Sequence, residues 1–202
     1  MNIQNSKPDN NTMKVKDIIF TAIFSVLLFI CIFAFAIIMG MNPISMFFAH
    51  AVGSIPAGII YMYMRQKTLK KGSIVLMAVL VAIISFALGI GWTAALGILI
   101  GGISAELITA AGGYKSKVKN VIGYVAFITC FWTGQMSIMI LSTKSYEASV
   151  LKQGMTQEYV SSMIEFINGP MFFVALAVTI IGAIIGGMLG IKVFKKHFEK
   201  LQ

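Results

Sequence analysis

Long apolar runs, each closed by a short polar segment, follow one another from Asp17 to Phe194. A helix of about 20 apolar residues crosses the roughly 30 Å hydrocarbon layer of a bilayer, so this pattern predicts membrane-spanning helices rather than core strands. Six are predicted, over about 17–40, 44–64, 73–88, 92–111, 120–141 and 170–194. The third and fourth form one nearly continuous apolar stretch, and Gly89-Ile90-Gly91 sets the break between them. Asn42-Pro43 turns the chain after the first helix, Pro43 suits the first turn of the second, and Pro56 predicts a kink within it.

Two segments lack the spanning pattern. Residues 1–13 are polar and Asn-rich, have nothing to bury, and read as a disordered cytoplasmic tail ahead of a single domain over 14–202. Residues 142–169 form a long outer loop. Within it Val160, Met163, Ile164 and Ile167 share helical spacing while Glu158 and Glu165 fall on other faces, which predicts a short amphipathic helix at the membrane surface.

Composition agrees with an all-α integral membrane protein, because 58% of the 202 residues are hydrophobic and only 11% are charged. A soluble enzyme is excluded on that ground. Lys14 and Lys16 precede an apolar stretch containing Ala34-Phe35-Ala36, which resembles a signal-peptidase site, but the run continues to Met41 and reads as a retained helix. Cys31 and Cys130 fall mid-run and are expected to be packing residues.

The net charge of +9 is topological rather than a nucleic-acid footprint. Of the 16 Lys and Arg, all but Lys144 and Lys152 fall in the N-terminal tail and the start of the first helix, in the connections holding Arg65 to Lys71 and Lys115 to Lys119, or from Lys192 onward. With six spans these segments share a side, and the positive-inside rule makes that side, with both termini, cytoplasmic.

Small residues recur every fourth position at Gly182/Gly186/Gly190, Ala49/Gly53/Ala57 and Gly97/Gly101/Ala105, as where helices approach closely in lipid. Most such ridges pack within a bundle. The patch Thr21, Ala22 and Ser25 on the first helix is the expected docking surface for a partner membrane subunit. Glu106 is an intramembrane charge, which costs several kcal/mol unless paired, so it is expected either to couple to a partner or to meet a nearby lysine.

On the outer side, Met46 and His50 are spaced to share one helical face, and Phe47, Trp92, Trp132, Gln135 and Asn168 are expected at the same level. An apolar pocket with a few polar groups is how small-molecule sites are built, so these residues are the expected binding site. The competing readings are a hydrogen-bonded core histidine and interfacial aromatic anchors. No phosphate loop, H-E-x-x-H or G-x-S-x-G is present, and no closed metal site or cofactor is expected from two distant histidines, His50 and His197.

Four segments, in order, carry a family resemblance: Lys16-Asp17-Ile18-Ile19, Ala105-Glu106-Leu107-Ile108, Gly112-Gly113-Tyr114-Lys115-Ser116 and Phe194-Lys195-Lys196-His197-Phe198. Together they resemble the Trep_Strep family of bacterial membrane proteins, which is grouped with the S components of energy-coupling factor (ECF) transporters. The resemblance implies a six-helix, non-catalytic subunit that captures a micronutrient from outside. It also implies a membrane coupling subunit and two cytoplasmic ATPases as partners, and a ligand pocket closed by the outer loops. Many S components carry alanines four apart on the first helix, where Thr21 and Ser25 stand here. A flat aromatic or tetrapyrrole ligand such as haem ranks ahead of a vitamin-like or nucleobase-like one. A self-sufficient secondary transporter is the alternative, although no half-repeat is visible.

Overall fold

The computed structural model describes residues 12–198, with side chains described as far as Val193. Residues 1–11 of the tail and residues 199–202, including Lys200, lie outside the described residues. Among the described residues every regular element is helical: α1 Val15–Met39, a 3₁₀ turn Ser45–Phe48, α2 Ala49–Lys67, α3 Ser73–Ala87, α4 Trp92–Ala110, α5 Lys117–Leu141, α6 Thr143–Lys152, α7 Gln157–Asn168 and α8 Met171–Phe198.

Among the described residues, five helical stretches are long and apolar enough to cross a membrane: Val15–Met39, Ser45–Lys67, Trp92–Ala110, Lys117–Leu141 and Met171–Val193. The sixth expected span, α3, has 15 residues. At 1.5 Å per residue it is about 22 Å long, short of the hydrocarbon layer. Gly89 and Gly91, both at positive φ, lie in the turn that ends it and leads the chain into α4.

Glycines set the helix spacing. A Cβ on Gly97 would lie 2.7 Å from Gly134 Cα, so α4 and α5 touch backbone to backbone. On α8, a Cβ on Gly186 would meet Ile55 Cα at 2.9 Å, and one on Gly190 would meet the Gly58 carbonyl of α2 at 2.8 Å. The second-helix ridge does the same against α1, with Gly53 beneath Ile32. The small-residue ridges are thus used inside the bundle.

Two buried clusters follow. The larger runs along the bundle axis through Leu28, Tyr61, Met77, Ile98, Phe127 and Phe131. The smaller caps the end where α6 and α7 sit and gathers Phe47, Trp132, Met136, Met163 and Phe166. The opposite end carries the connections 68–72 and 111–116 and, among the described residues, the last turns of α8 with Lys192, and is the cationic end.

The 142–169 segment holds two helices where one was expected. In α7, Val160, Met163 and Phe166 are buried against the cap, so this helix packs on protein as well as lying at the surface. The sequence gives little sign of α6, because its only buried residue is Val150.

Candidate functional site

His50 opens the first turn of α2 and is 1% exposed, yet neither ring nitrogen has a hydrogen-bond partner. Its ring stands edge-on to Phe131 of α5, with centroids 4.8 Å apart and planes at 86°. Beside it lies a cavity of about 50 Å³ walled by Phe29, Ile32, Phe33, Ile90, Phe131 and Gln135. An unpaired buried polar group costs about 1–3 kcal/mol, and a space this size admits one water or one polar group of a larger molecule. The arrangement can therefore recognise a single hydrogen-bonding atom within an aromatic surround.

The rest of the expected site divides. Gln135 shares the His50 cavity. Met46 does not share a helical face with His50, because residues 45–48 adopt a 3₁₀ turn whose tighter winding rotates Met46 away, and α2 begins only at Ala49. Met46 Sδ instead receives the Tyr159 hydroxyl at 3.8 Å. Phe47 is fully buried and stacks on Phe166 with centroids 4.2 Å apart, while its carbonyl accepts from Trp132 Nε1 at 2.8 Å. Met46, Phe47 and Trp132 thus belong to the buried cluster at the capped end, and none of the three lines the His50 cavity. Trp92 is half-exposed at the start of α4, and Asn168 is exposed and donates to the Ile164 carbonyl of its own helix. These two stand outside the His50 cavity.

The latch made by Tyr159 is not legible in the hydropathy pattern. Its hydroxyl donates to the Gly40 carbonyl at 2.6 Å, tying α7 to the end of α1, and burial pushes its pKa up.

At the cationic end, Glu106 meets backbone and a phenol. One carboxylate oxygen accepts from Gly72 N–H at 2.6 Å and from the Tyr114 hydroxyl at 3.0 Å, and the other accepts from Ile74 N–H at 3.1 Å. Glu106 is therefore a tertiary cap on the start of α3, where an anion is favoured by the unpaired N–H groups. Arg65 was expected in a loop, but α2 extends to Lys67 and buries it completely. Its guanidinium donates to Asn120 Oδ1 at 3.2 Å, to the Thr68 carbonyl at 2.8 Å and to Ser73 Oγ, and lies 5.7 Å from the Tyr114 ring centre. Burial and the bond to Glu106 both raise the Tyr114 pKa.

The expected docking patch is mostly turned inward. Thr21 and Ser25 are fully buried, Ser25 Oγ donates to the Thr21 carbonyl at 2.7 Å, and only Ala22 is half-exposed. Placed on the inner face of α1, the two hydroxyl residues cannot meet a partner in this conformation. The outward row is Ile19, Ile23, Val26 and Ile30.

Among the described residues no group of three or more His, Cys, Asp or Glu is placed to hold a metal ion. No curated protein and no solved structure matches the chain. A family model described as a hypothetical bacterial integral membrane protein (Trep_Strep) matches residues 15–200, and by that span, nearly the whole chain, the protein belongs to the Trep_Strep family of bacterial integral membrane proteins.

Proposed function

We propose that this chain is the substrate-capturing S component of an ECF-type importer, with six spans, both termini in the cytoplasm and the α6–α7 cap outside. The observation that carries this reading is His50: a buried imidazole with two unpartnered nitrogens, beside a small cavity walled largely by phenylalanines and Gln135. A buried group left unsatisfied in the free protein is what a binding site keeps ready for its ligand. The cationic end lies opposite the cap, and the positive-inside rule supports turning it to the cytoplasm.

In this reading the chain performs no reaction. A membrane coupling subunit contacts the outward apolar row of α1, and two cytoplasmic ATPase subunits supply the energy. A flat aromatic or tetrapyrrole ligand would require the walls of the His50 cavity to part, because it holds only about 50 Å³.

Purification from native membranes tests this. Coupling and ATPase subunits should follow the tagged chain, and mass spectrometry should find a retained small molecule. Uptake driven by the purified chain alone, in vesicles without ATPases, would reject the proposal in favour of a secondary transporter.

A further inference from the structure

A second space, of about 440 Å³, lies on the capped end between the α3–α4 turn and α6. Its wall includes Ser142, Ser145, Tyr146, Ser149 and Gln153. No ionised side chain lines it, although Lys144, Glu147 and Lys152 stand on the same helix α6. Hydroxyl and amide groups therefore face this vestibule while the charges of α6 lie outside it. A lining of that kind hydrogen-bonds neutral polar molecules and offers a charged one no counter-ion.

One side chain, Ile90, belongs to the walls of both this vestibule and the His50 cavity. It is flanked by Gly89 at φ +75° and Gly91 at φ +113°. A Cβ on Gly89 would touch nothing within 4 Å, so the turn has open space beside it. Paired glycines give the turn backbone freedom that other residues lack.

We propose that the vestibule is the outer binding subsite for an uncharged, hydrogen-bonding small molecule, and that Ile90 is the gate through which it reaches His50. This deepens the capture reading and rests on the capped end being the outer one. The polar edge of the solute is held first by the hydroxyls of α6. Displacement of Ile90 then lets one of its polar atoms meet the imidazole and Gln135, while the rest of the solute stays in the vestibule.

The gate is tested on the full chain with small reagents, without ATPase partners, so failure of coupling and failure of the gate are separate results. In a His197→Gln background, diethyl pyrocarbonate reports access to His50 through carbethoxylation followed by mass spectrometry. Ile90→Ala should speed the reaction roughly tenfold and Ile90→Trp should slow it. Equal rates in all three proteins would overturn the gate.

The ligand class is tested at Ile90→Cys with Cys31 and Cys130 replaced by Ala. Neutral methyl methanethiosulfonate should label this thiol at least tenfold faster than the cationic trimethylammonium-ethyl or the anionic sulfonatoethyl reagent, after correction for rates with a free thiol. Labelling by a charged reagent as fast as by the neutral one would overturn the uncharged class.

Discussion

The carboxylate of Glu106 on α4 accepts the backbone N–H of Gly72, at 2.6 Å, where α3 begins. One helix thereby caps another, and the cap reaches on to Ile74 N–H and the Tyr114 hydroxyl. Hydrogen bonds to a charged group contribute about 1.5–3 kcal/mol, and a buried donor left unpaired costs a similar amount. Glu106→Ala should therefore destabilise the protein by on the order of 3 kcal/mol, measured by denaturation in detergent micelles. Glu106→Gln retains one acceptor and should lose less. An Ala variant as stable as wild type would remove the capping role and return Glu106 to the coupling role expected from sequence.

Tyr159 links α7 to Gly40, and its raised pKa gives this latch a pH dependence. The phenol must keep its proton to donate. Because the folded pKa lies above the unfolded value, the contribution is complete below about pH 10 and is lost as pH rises through the raised value. Tyr159→Phe should lower the melting temperature at neutral pH by an amount matching about 1 kcal/mol and should flatten the alkaline limb of its pH profile. Parallel alkaline limbs in the two proteins would show that the bond does not hold the cap.

How much of this was legible in the sequence depended on whether a feature lives in one segment or in several. The break at Gly89 to Gly91 was legible because glycines punctuate an apolar run locally. The burial of Arg65 was not, because its partners Thr68, Ser73 and Asn120 come from three segments and hydropathy sees only a cation after an apolar run. The pairing of Met46 with His50 failed for a related reason: helical spacing presumes a regular helix, and the 3₁₀ turn of 45–48 breaks it. Thr21 and Ser25 were identified correctly as a small-residue row, but smallness serves an inward face as well as a docking one. Of the outer-site residues, Gln135 joins His50 because α5 is continuous, whereas exposed Asn168 sits at the end of a separate cap helix.

Glycine contacts predict a graded response to the same small change. A Cβ on Gly134 would lie 2.7 Å from Gly97 Cα, with backbone on both sides and nothing able to yield. One on Gly53 would sit 3.3 Å from Ile32 Cα, which a small shift accommodates. Overpacking of this kind costs about 1–3 kcal/mol. Gly134→Ala should fall at or above the top of that range and Gly53→Ala below about 1 kcal/mol, in paired unfolding measurements. Equal losses would mean that α4 and α5 are not set by backbone contact.

His50 offers the sharpest separation of stability from function. A histidine that merely fills a core is held by a hydrogen bond, and replacing it loses that bond. Here neither nitrogen has a partner, so a leucine of similar bulk removes an unsatisfied polar group rather than an interaction. His50→Leu should therefore raise the stability of the ligand-free protein by about 1–2 kcal/mol and, where purification of the wild-type protein yields a bound small molecule, should abolish its retention. His50→Gln, which keeps a donor and an acceptor, should restore part of the retention without the gain in stability. If His50→Leu instead lowers stability, the imidazole is satisfied within the resting bundle and the cavity beside it is structural.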